Sequence, residues 1–263
     1  LPYNAGRDIS PEFRRFQFLK SQFYLYGNIY DCYYFPVNYH KATTAEELQW
    51  AKFNDIKQLL KRYLKNEGYE LIAYYDVIDG FEVDAASGNL NPAEMLRFVT
   101  EQSPKAQEYF AETTIKKIET NLDNTLSLFR FLVANRTRLF AGIINYTSRF
   151  TANPNALEIE EPQYFLKLLK AAQEAMVFPD RNGYRNILIF LCEKLSDIPA
   201  WLLIENPLTK GIEVQKPNRD ERNLFLTVQA KFFYQAGAEV NRKEVQKIFP
   251  DVTEGFSNRE LEN

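Results

Sequence analysis

Asp76 and Asp79 sit at the end of an apolar run, Glu70 to Asp76, and Glu82 and Asp84 follow closely. Carboxylates grouped this way can hold a divalent cation for phosphoryl transfer, so Asp76 and Asp79 are the candidate metal ligands. The competing reading is a solvated turn at Gly80, because no basic phosphate clamp lies nearby in the chain. Other chemistries lack material. His40 is the one histidine, and Cys32 and Cys192 are the two cysteines. A Cys/His zinc site, a Ser-His-Asp triad and a disulfide framework all need more.

Tyr24, Tyr26, Tyr33 and Tyr34 could stack on bases, which raises nucleic-acid binding. Against it, 32 Lys and Arg face 35 Asp and Glu, a net charge of −3. That balance removes the usual pull on phosphate backbones, so buried packing is the better account of these rings and nucleic acid is not expected as a partner. Arg14-Arg15, Lys20, Lys116-Lys117, Arg136 and Arg138 make small basic groups, for which a solvated face is the default reading. No run is apolar enough to cross a bilayer, and Leu1-Pro-Tyr-Asn-Ala-Gly lacks a basic-then-apolar signal, so a reducing, cytoplasmic setting without membrane contact is expected.

The elements that position these residues alternate. Gln22 to Phe35 reads as a buried strand broken at Gly27-Asn28, followed by a helix capped at Thr44 with Glu47 and ended by Gly68. Glu70–Asp76, Leu139–Ile144, Asn186–Cys192 and Gly211–Val214 read as further strands. Between them lie a helix opened by Asn91-Pro92-Ala-Glu94, a helical face made of Ile115, Ile118, Leu122, Leu126, Phe129 and Val133, and helix 162–176. A short helical segment spans Pro199 to Ile204, and residues 77–92 and 151–161 read as exposed loops. Strands alternating with helices predict an α/β fold, a five-stranded parallel sheet sandwiched by helices. The tail carries three cap-and-Glu pairs, Asn218/Glu221, Asn241/Glu244 and Ser257/Glu260, which predict a C-terminal helical lid. The expected division is 1–216 for the α/β domain and 217–263 for the lid. The chain stops a few residues into its last helix, which suggests a piece of a longer protein.

Thr253-Glu-Gly-Phe-Ser-Asn-Arg-Glu-Leu-Glu-Asn263 resembles, without gaps, the lid motif T-x-G-F-S-G-A-D-L-x-N of the AAA+ ATPases. Ile212 through Pro217 to Arg222 is similar to that family's I-x-x-x-x-P-x-x-x-x-R, where the last strand leads into the lid. Asn186 to Trp201 resembles the sensor-1 strand, and Leu139 to Arg149 takes the place of the Walker B strand. The resemblance implies a P-loop NTPase-like fold of bacterial type, and it also exposes departures. No G-x-x-x-x-G-K-[ST] occurs, so the cradle of glycine amides, phosphate-binding Lys and magnesium-binding hydroxyl is missing. The corresponding turn offers Gly27, Asn28 and the acidic Asp31. A carboxylate at about 4 Å from a phosphate would repel it by roughly 1 to 4 kcal/mol, depending on solvation. The Walker B carboxylates fall on Asn145 and Tyr146, and the sensor position on Glu193 or Lys194.

The resemblance therefore implies a degenerate amino-terminal module of a tandem AAA ATPase. It would bind no cofactor itself, with ATP and Mg held by a following module, and would scaffold or regulate a homo-oligomeric ring. Its partners would be its own copies, a second AAA module or a protein substrate. Arg149, Arg219 and Arg222 would be the arginines reaching a neighbouring subunit. The alternatives are a cryptic ATP-binding ATPase with an unorthodox phosphate loop and a metal-dependent phosphotransfer domain using Asp76 and Asp79.

Overall fold

A computed structural model describes residues 10–38, 41, 44, 47–85, 91–112, 121–204, 206–233 and 242–262. Apolar residues at consecutive positions bury both faces of a strand, and in the central sheet three described runs do so completely: β4 (Leu71–Asp76), β6 (Phe140–Ile144) and β9 (Ile187–Leu191). With β1 (Gln22–Gly27), β5 (Gly80–Ala85) and β10 (Thr209–Val214) they form a six-stranded sheet of order β10-β1-β9-β6-β4-β5, while β7 (Val177–Phe178) and β8 (Tyr184–Arg185) pair with each other. The pairs β1–β9, β9–β6 and β6–β4 are parallel. The fold class is thus the expected one: mixed α/β around a largely parallel sheet.

The sixth strand lies inside the stretch 77–92, expected as a loop. β5 runs antiparallel to β4 in a register that sets Asp76 opposite Gly80. The turn of residues 77–79 makes this possible, with Gly80 in the left-handed region at φ 78°.

Compactness divides the chain into two units. One comprises residues 11–27 and 61–213, the other 1–10, 28–60 and 214–263. In the first, helix Leu122–Val133 buries Leu126, Phe129, Leu132 and Val133, and helix Glu161–Glu174 buries Phe165, Leu168 and Ala171. Arg130 clasps Glu174 across these two helices through Nε (2.6 Å) and Nη2 (2.9 Å). Gly142 in β6 has no room for a side chain, since a Cβ there would meet Leu188 and Phe129 at 2.6 Å. The expected cap of helix Pro92–Gln102 is present in both directions: Asn91 Oδ1 accepts from Glu94 N, and Glu94 Oε2 accepts from Asn91 N, each at 2.9 Å.

The second unit corrects two expectations. The helix signalled at Thr44 does not start there. Instead, β3 (Trp50–Phe53) pairs antiparallel with β2 (Tyr33–Pro36), and the helix runs from Ile56 to Asn66 behind Asp55, whose Oδ1 accepts from Gln58 N at 2.7 Å. Trp50-Ala-Lys-Phe53 suits either period, and pairing with a distant strand decided between them. The single cut expected at 216/217 is also replaced, because residues 28–60 fold with the tail. Tyr34 of β2 is buried against Phe225 and Leu261, and Gln229 Nε2 donates to the Tyr34 hydroxyl at 2.9 Å. The caps Asn218/Glu221 and Ser257/Glu260 form as expected. Asn241/Glu244 includes a position outside the described residues, as do Ile115, Ile118, Lys116, Lys117 and His40.

Candidate functional site

In open α/β sheets the loops after the parallel strands carry the chemistry. Within the first unit, three such loops meet the sequence-selected residues. Gly27, at the end of β1, takes φ 95° and donates its N–H to the Glu193 carbonyl at 3.1 Å. After β9, Glu193 N donates to Ser148 Oγ at 2.8 Å, and its carboxylate takes Arg149 Nη2 at 2.6 Å. After β6, Asn145 Nδ2 donates to the Tyr74 hydroxyl at 2.9 Å, while Asn145 Oδ1 accepts from Tyr146 N at 2.9 Å. Tyr146 itself sits in the left-handed region at φ 54°.

Arg149 and Lys194 line one open cleft of about 480 Å³ together with Ser148, Thr151, Glu193 and Asp197. Two cations face two carboxylates there, so the cleft offers a polyanion no net attraction.

Asp76 and Asp79 serve the hairpin. Asp76 is buried, and its Oδ1 accepts from Ile78 N (2.9 Å) and Asp79 N (2.7 Å), an Asx turn into β5. Tyr74 shares its strand face with Asp76, bonds it, and is held from the other side by Asn145; burial first, then the Asp76 charge, pushes its phenol far up. Sequence reasoning passed over Tyr74, although its i, i+2 spacing to Asp76 signalled a shared face. Among the described residues no group of three His, Cys, Asp or Glu is placed to hold a metal ion.

Within the second unit, the residues after Gly27 close on the tail. Asn28 N donates to the Val214 carbonyl at 2.8 Å, and Tyr33 Oη donates to the Asn28 carbonyl at 2.7 Å. Asp31, 1% exposed, collects four donors: Cys32 N at 2.8 Å, Asn28 Nδ2 at 2.9 Å, Asn258 N at 3.0 Å and Arg259 N at 2.8 Å. The last two open helix Asn258–Glu262, so an internal carboxylate takes the donors at that helix start. Asn258 Nδ2 adds a bond to the Cys32 carbonyl at 2.9 Å.

The lid-motif residues have local work in this unit. Thr253 Oγ1 donates to the Phe249 carbonyl at 2.6 Å, Gly255 turns the chain at φ 80°, Ser257 caps the last helix, and Leu261 enters the core. Arg222 is buried and donates to the carbonyls of Pro217 (2.6 Å) and Pro250 (2.9 and 3.2 Å). That position corrects its assignment as a contact to a neighbouring subunit, because reaching out would strand two carbonyls. Arg149 and Arg219 keep exposed guanidinium groups, the latter paired with Asp251 at 3.1 Å.

Both cysteines are buried. Burial first, with Glu262 and Asp31 nearby, pushes the Cys32 thiol up to about 12, and burial with Asp197 does the same for Cys192. At pH 8 only about one thiol in ten thousand would be ionised. Ellman's reagent is therefore expected to label neither in the native protein and both in urea; rapid labelling of native protein would contradict this burial.

A family model described as AAA+ chaperone, N-terminal Rossmann-like domain, matches residues 15–215. Comparison with curated proteins gives no match. Among solved structures, a chain of the E. coli MS115-1 HORMA:CdnC:Trip13 complex aligns at 11% identity and TM-score 0.46, covering 97% of this chain and 68% of that one. Among the described residues no helix is long and apolar enough to cross a membrane.

Proposed function

Because this chain belongs to the family of AAA+ chaperone N-terminal Rossmann-like domains, we propose that it is a non-hydrolysing AAA+ module. On this reading it scaffolds or regulates a ring whose ATP and Mg are bound and turned over by a following module. Copies of itself or that second module are its partners, and a remodelled protein is the substrate of the whole, in a cytoplasmic setting.

The observation that carries the reading is Asp31. The turn that would have to present amides to a triphosphate uses the N–H groups of Gly27, Asn28 and Cys32 internally, and it buries a carboxylate of its own. Bringing phosphate to it costs those bonds and adds like-charge repulsion. Asn145 supplies no charge to neutralise magnesium, and its amide is engaged with Tyr74. Arg149 and Arg219 remain the arginines suited to a neighbour's nucleotide.

Melting of the chain in 5 mM ATP and Mg tests the proposal. A ligand at a hundredfold excess over its Kd adds about 2.7 kcal/mol of stability. The expected result is an unchanged Tm. A clear rise would favour a cryptic ATP-binding site instead, and a rise with Mg or Mn alone would favour the metal-dependent phosphotransfer reading at Asp76 and Asp79.

A further inference from the structure

The helix Pro92–Gln102 ends at Ser103, whose N–H reaches the Val99 carbonyl at 3.1 Å, and the same Ser103 starts helix Pro104–Phe110 by accepting from Ala106 N at 3.3 Å. One residue thus serves as cap for two helices and makes a stiff elbow. Facing it is the end of helix Leu122–Val133, fixed by the buried Asn135. Its Nδ2 donates to the Leu132 carbonyl at 2.6 Å, and its Oδ1 accepts from Thr137 N and Arg138 N at 3.1 and 3.0 Å. Between elbow and helix end lies a groove of about 540 Å³.

The groove has an apolar floor and a cationic rim. Val99, Phe131 and Ala134 line it beside Pro104, and Phe131 is backed by the Phe110 ring at 5.8 Å. Lys105 stands on one side and Arg136 on the other, both exposed, and among the described residues no carboxylate lines the groove. Other cations on the flanking elements are engaged: Arg130 with Glu174, Arg97 with Glu101, and Arg138 over the Phe98 ring at 5.8 Å. The described residues supply no such partner for Lys105 or Arg136. In a chain of net charge −3, this is a local patch of opposite sign over a preformed apolar pocket.

We propose that this groove docks an acidic peptide segment of a partner protein, with one apolar side chain seated on Val99 and Phe131 and carboxylates meeting Lys105 and Arg136. The volume suits one or two side chains. The rim charges would steer the encounter and select sign, while burial of the apolar anchor holds the complex. Nucleic acid fits less well, because its affinity grows with the number of phosphates neutralised and only two cations are offered. The inference stands apart from the ring reading above.

The probe is a fluorescein-labelled dodecapeptide with a Leu-Phe pair between two Asp-Glu pairs, followed by anisotropy against the whole chain. Binding is expected, and about tenfold weaker to each of Lys105→Glu and Arg136→Glu. Both side chains are exposed, so neither substitution threatens the fold. The same loss is expected when the peptide's acids become amides or its Leu-Phe becomes Ser-Ser. Absence of binding at millimolar protein, affinity indifferent to both charge reversals, or tighter binding of oligo(dT) through the same residues would each overturn the proposal.

Discussion

Asp31→Ala is expected to lower the unfolding free energy by about 3 to 5 kcal/mol, since each hydrogen bond to a charged group is worth about 1.5 to 3 kcal/mol and several are lost together. The carboxylate is the acceptor for three backbone N–H groups and the Asn28 amide. Alanine leaves these donors facing a small void, and each unsatisfied buried group costs about 1 to 3 kcal/mol. Asp31→Asn separates charge from shape. It keeps one acceptor oxygen but turns an amino group toward other donors, so roughly half the loss is expected to return. Urea unfolding measures both. Cys32, whose N–H is one of the donors, gives a local readout, since its thiol should react with Ellman's reagent faster in Asp31→Ala while Cys192 stays protected. A loss below about 1 kcal/mol, or asparagine equal to aspartate, would show that the carboxylate does not hold the tail.

Asn186→Ala is the second large effect, expected at about 3 kcal/mol. Asn186 is fully buried immediately before β9, and its carboxamide is saturated: Nδ2 donates to the Val133 and Asn135 carbonyls at 2.9 and 3.0 Å, and Oδ1 accepts from Phe140 N at 2.7 Å. It therefore joins a helix end, the following turn and the first residue of β6. Alanine takes the side-chain partner from Phe140 N and the Asn135 carbonyl where water has no access, while the Val133 carbonyl keeps Met176 N at 2.9 Å. Asn186→Asp is no rescue, because it would set a buried carboxylate against two carbonyl oxygens. Equilibrium unfolding in urea of both variants is the check, and a neutral Asn186→Asp would contradict the donor role.

The parts of the fold that depend on neighbours within a few residues were readable directly. Asn91/Glu94, Asn218/Glu221 and Ser257/Glu260 all close reciprocal caps, because each bond is made across three residues and needs nothing from elsewhere. The runs that became β4, β6 and β9 were readable because unbroken apolar sequence has to be buried on both faces. Gly27 marked a real break, since φ 95° is cheap for glycine alone.

What failed involved distant partners. Trp50–Phe53 became a strand because β2 was there to pair with, against a cap signal at Thr44 that had no competitor in the local sequence. Asp76, by contrast, takes its two N–H donors locally, from Ile78 and Asp79 in the β4–β5 turn. Arg222 looked free until Pro250 and Pro217 enclosed it.

The α/β layering was thus legible in the sequence through strand burial, and the family through a resemblance to known motifs; the family model that matches covers residues 15–215. Whether the turn after β1 could accept an anion was decided in three dimensions. Asp31 announces only a negative charge in the sequence; its meaning comes from Asn258 and Arg259, 227 and 228 positions away. Capping bonds act over one helical turn, but a buried carboxylate takes its role from whichever donors the finished fold brings to it.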